Sequence, residues 1–155
     1  MIKGLKECTT LCYLEKDDAY LLMHRTKKKD DENSGKYIGI GGHVEENETP
    51  EECLIREVKE ETGLTLCDYK LRGLITFSFE DKDEIAFLYT SNNFVGELIK
   101  ECKEGELVWV KKDAILSLPL WAGDKLFLEK LKEDRNYFSL KLNYKKDKLL
   151  DYKFY

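Results

Sequence analysis

Glu57, Glu60 and Glu61 stand at i, i+3 and i+4, a spacing that puts three carboxylates on one face of an α-helix. Like charges gathered there repel unless something positive sits among them. Hard divalent cations take carboxylate and water oxygens, and Mg²⁺ keeps several waters while binding substrate phosphates. Upstream, Gly39, Gly41 and Gly42 interrupt a β-prone run. Such glycines mark places where a ligand or a second backbone comes close. A carboxylate-rich helix face beside a glycine-rich segment is thus a candidate metal–phosphate site. Arg56 can reach Glu52 or Glu60 at i±4 and hold it in place. Taken alone, a run of Glu, Lys and Arg is more often a solvated helix surface.

The elements that must position these groups are legible around them. Thr49 before Pro50, with Glu51 and Glu52 following, has the form of an N-cap, a proline at the first helical position and acids in the first turn. Glu52 completes a capping box, and the helix should run to Thr62 with Gly63 as its stop. Leu54, Ile55, Val58 and Thr62 should face the core, with the three glutamates opposite. Residues 8–15 and 19–25 read as a hairpin turning at Asp17 and Asp18. A charged loop follows at 26–36, whose Lys27–Lys29 run either meets phosphates or is simply solvated. Residues 37–45 read as one glycine-rich strand and 46–49 as a turn. Further strands are expected at 68–79, 84–92 and 105–110, and a short turn of helix at 112–116, ended by Pro119. A second amphipathic helix is expected at 122–133, with Leu126, Phe127, Lys130 and Leu131 on its stripe. A terminal hairpin closes the chain at 137–145 and 148–155, turning at Lys146 and Asp147. In it Phe138, Leu140, Leu142 and Tyr144 alternate with polar residues, and so do Leu150, Tyr152 and Phe154. No repeat or linker divides the 155 residues, so a single domain over 1–155 is expected.

Composition excludes several classes. A 42% hydrophobic and 37% charged chain is globular rather than disordered. The net charge of −5 argues against long nucleic acid as a partner, although bound metal would still let an acidic protein take a polyanion. Five cysteines form no Cys-x-x-Cys pair. Cys8 and Cys12 would need two further ligands to hold zinc, so the cysteines read as thiols in a reducing compartment. No apolar run approaches the ~20 residues needed to span a bilayer, and the first residues lack a signal-peptide core. A cytoplasmic protein with no membrane partner is the expectation.

Set out in full, Gly42, five residues, Glu48, seven residues, then Arg56-Glu57-Val58-x-Glu60-Glu61-x-Gly63-Leu64 resembles the Nudix box at nine defined positions. The resemblance implies an α/β fold, the Nudix α/β/α sandwich with a mixed sheet between helices. It implies hydrolysis of a diphosphate linkage with Mg²⁺, for which Mn²⁺ substitutes. Glu57, Glu60 and Glu61 match the family's metal-binding carboxylates, and Gly42 the glycine whose carbonyl joins the metal shell. Glu48 matches the loop glutamate near the metals, and Arg56 the arginine that orients a carboxylate. A distal acid often completes such sites or acts as base. Glu104 is the candidate here, with Glu101 and Glu106 as competitors.

The segments TTLCYL, YIGIGGHVE and LPLWAGDKLFLEKL further resemble MutT-type 8-oxo-dGTP diphosphatases. In that subgroup a Trp lies over the purine and an Asp reads its edge. Trp121 and Asp124 match those positions; the alternative is a core aromatic and an ordinary helix N-terminal acid. Arg25 and Ile38 complete the substrate-binding candidates. Ile38 stands where some members carry an Asn that bonds the base, and Gly123 where a second Asp is found. Since an apolar wall discriminates less than a polar reader, a broader nucleoside-triphosphate pyrophosphatase is credible. ADP-ribose, dinucleoside polyphosphates and nucleotide sugars remain alternative small-molecule substrates, and a non-catalytic nucleotide-binding module is the alternative of another class. His43 lies at a variable position of the box, and neither it nor His24 decides anything alone.

Overall fold

The computed structural model describes residues 6–26, 33–99, 102–133 and 137–155. Alternation along the central strands decides its layers. Strand β1 (Glu7–Lys16) sends Leu11 and Tyr13 to one face of the sheet and Cys12 and Leu14 to the other. Strand β6 (Asp83–Val95) does the same with Ala86 and Leu88 against Phe87 and Tyr89. Each face carries its own apolar core. Helix α1 (Pro50–Thr62) packs Leu54 and Val58 into one, and helix α2 (Ala122–Leu131) packs Phe127, Leu128 and Leu131 into the other. The result is the expected α/β sandwich, a mixed sheet between helices.

β1 lies at the centre, parallel to β6 and antiparallel to β4 (Ile40–His43). At its far end it turns into β2 (Ala19–His24) through Asp17 and Asp18, with φ of 51° and 60°, as a tight hairpin turn requires. β2 then pairs with β3 (Tyr37–Ile38) and β7 (Glu106–Lys111). Beyond β6 come β5 (Thr65–Ser78), antiparallel to it, then β8 (Phe138–Lys145), parallel to β5, and β9 (Lys148–Phe154) on the edge.

The glycine-rich run is not the single strand expected. It breaks at Gly39, so β3 pairs with β2 while β4 pairs with β1. The crossing is tight: a Cβ on Gly39 would sit 2.8 Å from Leu11 Cδ1, and one on Gly41 would fall on the Thr10 carbonyl.

α1 begins and ends as its sequence predicts. Thr49 Oγ1 accepts from the Glu52 amide at 3.1 Å and Glu52 Oε1 accepts from the Thr49 amide at 2.9 Å, a capping box worth about 1 kcal/mol. Gly63 takes φ 81° at the C-cap, a left-handed value that favours glycine.

Three packing expectations are corrected. Ile55 is 38% exposed and Cys53 is buried in its place. Of the stripe expected on α2, Phe127 and Leu131 are buried but Leu126 and Lys130 are only partly so; Gly123, Asp124 and Leu128 complete the buried face, with Gly123 packed directly on Leu142 and Tyr144. On β8 all four alternating apolar residues are buried, but Leu150 and Tyr152 are exposed. Leu150 falls at a register shift between the Asn143–Asp151 and Tyr144–Leu149 pairs, and Tyr152 lies on the edge strand.

Candidate functional site

Helix α1 lies against β4, and this puts the glutamate face over two glycines. The Glu57 carboxyl carbon lies 2.5 Å from where a Cβ on Gly42 would be, so only glycine admits that approach. The Gly41 amide donates to Glu61 Oε2 at 3.3 Å. The Gly42 carbonyl accepts from the Cys53 thiol at 3.6 Å.

Arg56 is the hub of the cluster. Its Nε and Nη2 donate to the two Glu48 oxygens at 2.7 and 2.9 Å, a bidentate pair. Its Nη1 donates to Glu57 Oε1 at 2.7 Å and to Glu60 Oε2 at 3.3 Å, and its Nη2 to the His43 carbonyl at 3.1 Å. Glu52, offered as a partner by spacing, is instead held in the capping box. The Arg56 fork and the Glu45 amide hold the Glu48 carboxyl down at about 2. Glu61 is the opposite case. Burial first, then the charges of Glu57 and Glu104, push its carboxyl up to about 8.

Those carboxylates face a hollow of about 500 Å³ lined by Arg25, Gly41, Gly42, Glu57, Glu61 and Glu104. Glu104 reaches it from the segment before β7 and pairs with Arg25 Nη1 at 3.2 Å. Of its competitors, Glu106 pairs with His24 across the β2–β7 ladder and does not line the hollow, while Glu101, like Lys27–Lys29, lies outside the described residues. Glu60 is 60% exposed at the rim.

The donor set fits a hard divalent cation: three carboxylates, two of them partly buried, beside the Gly41 and Gly42 backbone. The anionic strain on Glu61 is what such a cation would relieve. The three box carboxylates do not converge on one point, because Arg56 draws Glu57 and Glu60 together at its own Nη1. Among the described residues, the His, Cys, Asp and Glu side chains close enough to close on one ion are Glu7, His43 and Glu84, at the ends of three adjacent strands. Lys82 already lies 3.9 Å from Glu7 there.

A second cavity, of about 270 Å³, is lined by Leu11, Ile38, Phe77, Trp121, Asp124 and Tyr144 among others. It shares Asn33, Ile38, Gly39, Gly41 and His43 with the carboxylate hollow. Trp121 is half-buried at the N-cap of α2 and packs against the core on that face of the sheet. Its indole nitrogen donates to Asn33 Oδ1 at 2.6 Å, Lys36 Nζ lies 4.5 Å over the ring, and Tyr144 meets it edge-on. Asp124 is 7% exposed and borders the cavity. Burial alone pushes its carboxyl up to about 7. Tyr144 Oη accepts from the Gly123 amide at 2.7 Å. A Cβ on Gly123 would lie 2.5 Å from Leu142 Cδ1 and 2.6 Å from Tyr144 Oη, so a second acid at that position has no room.

Residues missed in the sequence are Asn33, Phe77 and Tyr144. Strand alternation signals that Tyr144 is buried but not what it borders, and nothing marks Asn33 within its polar run.

Residues 7–131 match the NUDIX domain model, and the chain belongs to the Nudix hydrolase family, enzymes that act on pyrophosphate bonds. Within that family it is 31% identical over 125 residues to the uncharacterized Nudix hydrolase YvcI of Bacillus subtilis, covering 77% of this chain and 75% of YvcI. It is also 31% identical over 112 residues, 71% of each chain, to the oxidized purine nucleoside triphosphate hydrolase of Danio rerio. The crystal structure of the MutT protein from Bacillus halodurans superposes with a TM-score of 0.86 at 28% identity, over 96% of this chain and 97% of that one. The matched domain ends before β8, so Tyr144 enters the second cavity from outside it. Among the described residues no helix is long and apolar enough to cross a membrane.

Proposed function

We propose that this Nudix hydrolase cleaves purine nucleoside triphosphates, 8-oxo-dGTP and its relatives, to the monophosphate and pyrophosphate, as a single domain working in the cytoplasm. The observation that carries the reading is the shared wall of the two cavities. One is aromatic and holds a buried carboxyl; the other is anionic and glycine-lined. A nucleotide with its base in the first lays its phosphates in the second. The similarity to an oxidized purine nucleoside triphosphate hydrolase supports it, and five cysteines that form no disulfide suit a reducing compartment.

In this reading Glu57, Glu60, Glu61 and the Gly42 carbonyl hold Mg²⁺, or Mn²⁺ in its place. Bound there, the cation would supply positive charge to offset that developing on the phosphate oxygens. Arg56, fixed by Glu48, aims Glu57. Glu57 or Glu104 takes the proton as water oxygen bonds to phosphorus and the anhydride P–O bond breaks, releasing pyrophosphate. Arg25 binds phosphate beside Glu104. Trp121 stacks on the base and Asp124 exchanges hydrogen bonds with its edge.

A second reading, hydrolysis of ADP-ribose, a dinucleoside polyphosphate or a nucleotide sugar, is favoured by the apolar Ile38 and by the lack of room for an acid at Gly123. Both features weaken base discrimination. Product analysis over a panel of these compounds with Mg²⁺ separates the two. Pyrophosphate and monophosphate from oxidised and normal purine dNTPs support the first; activity confined to the other diphosphates supports the second. Tight nucleotide binding without turnover at any Mg²⁺ or Mn²⁺ level would instead indicate a non-catalytic module.

A further inference from the structure

β9 closes one end of the sheet, and among the described residues no strand pairs with its outer side. One hydrogen bond shows which backbone groups are left there. The Tyr155 amide donates to the Ser139 carbonyl at 2.9 Å. Along an antiparallel ladder, inward and outward groups alternate. Lys153 and Asp151 therefore direct their N–H and C=O at β8, opposite Lys141 and Asn143, while Tyr152 and Phe154 turn theirs outward. The side chains along this edge are apolar where they meet solvent: Leu150 is 61% and Tyr152 52% exposed. An open edge with exposed apolar side chains is a template for a further strand.

We propose that this edge is a dimerisation surface whose partner is a second copy of this chain, its β9 laid antiparallel on the first about a two-fold axis at Tyr152. Outward groups meet outward groups only when such an axis falls on a residue. With the axis on Tyr152, that residue exchanges both backbone hydrogen bonds with its counterpart, and Leu150 comes opposite Phe154 of the second copy. Asp151 comes opposite Lys153, and Lys153 opposite Asp151, at the non-hydrogen-bonded positions where side chains stand closest. Opposite charges placed there stabilise a strand pair. An axis on Asp151 or on Lys153 sets like charges face to face, which opposes pairing. An axis on Leu150 falls at the register shift within β9, where the alternation breaks. Lysine commonly guards a sheet edge against indiscriminate pairing; here Lys153 also selects the one register that its own strand complements. A single strand pair is a small interface, so the dimer is concentration-dependent rather than permanent.

The test is sedimentation velocity from micromolar to submillimolar concentration, for wild type, Asp151→Lys, Lys153→Asp and an equimolar mixture of the two variants, with a thermal melt to show that each is folded. Wild type should pass from monomer to dimer across the range. Each variant alone sets like charges opposite at two places, and its dimer should weaken on the order of 10-fold or more. The mixture restores both opposite-charge pairs, so it should form a heterodimer at wild-type concentrations. Added salt should weaken the wild-type dimer. A wild type that stays monomeric throughout, leaving the edge to a strand of another protein or to none, overturns the proposal. So does a dimer that survives both single substitutions, or one that both abolish and mixing fails to restore.

Discussion

Gly42 and Glu57 are matched parts: the Glu57 carboxyl carbon lies 2.5 Å from the point a Gly42 Cβ would occupy. Gly42 has no positive φ, so its backbone tolerates alanine. A methyl group there must displace the carboxylate. Gly42→Ala is expected to keep its melting temperature within a few degrees and lose activity on the order of 10²-fold, because ångström-scale misplacement at a reacting centre costs that much. Steady-state kinetics beside a thermal melt checks it; near-wild-type kcat would show that Glu57 has freedom the packing denies.

Arg56 makes a fork with Glu48 while reaching Glu57 from the same guanidinium. Lysine keeps the charge but cannot form both contacts. Arg56→Lys should lower kcat by about 10–100-fold with KM little changed, since the loss is of orientation at the reacting centre. A rise in KM with kcat unchanged would instead point to a role in binding.

Asp124 carries the pH prediction. Its carboxyl is pushed up from 3.8 to about 7 by burial, so the native state keeps a proton that the unfolded chain has released. The stability tied to the neutral form is complete below about pH 4 and is lost as pH rises towards 7. Asp124→Asn removes this dependence. Its melting temperature relative to wild type should therefore be higher at pH 8 than at pH 5, by several degrees, corresponding to a few kcal/mol at most. An equal difference at both pH values would show that Asp124 does not hold its proton.

Much of the site was legible because it is local. The box from Gly42 to Leu64 spans a strand end, a turn and one helix, and i, i+3, i+4 spacing puts Glu57, Glu60 and Glu61 on one helix face without help from the rest of the chain, though not their convergence, which Arg56 decides. Capping residues marked both ends of that helix correctly. The aromatic cavity is the reverse. Asn33, Phe77, Trp121, Asp124 and Tyr144 come from different loops, strands and a helix, and neither period nor spacing says that they meet. Trp121 and Asp124 were found through resemblance alone. Ile55 and Leu126 failed for a smaller reason: each lies beside the buried stripe of its helix, where a turn of a few tens of degrees decides burial, and Cys53 and Gly123 took the inner places.

The central claim is that the carboxylates facing Gly41 and Gly42 hold a divalent cation that drives cleavage of a nucleoside triphosphate. The most direct measurement follows pyrophosphate release from dGTP and 8-oxo-dGTP during titration with Mg²⁺, for wild type, Glu57→Gln and Glu61→Gln. Wild type should be silent in EDTA and gain activity with Mg²⁺, and each variant should fall on the order of 10³-fold or more while staying folded. Turnover that survives EDTA, or a folded Glu57→Gln or Glu61→Gln protein working at the wild-type rate, would contradict the account.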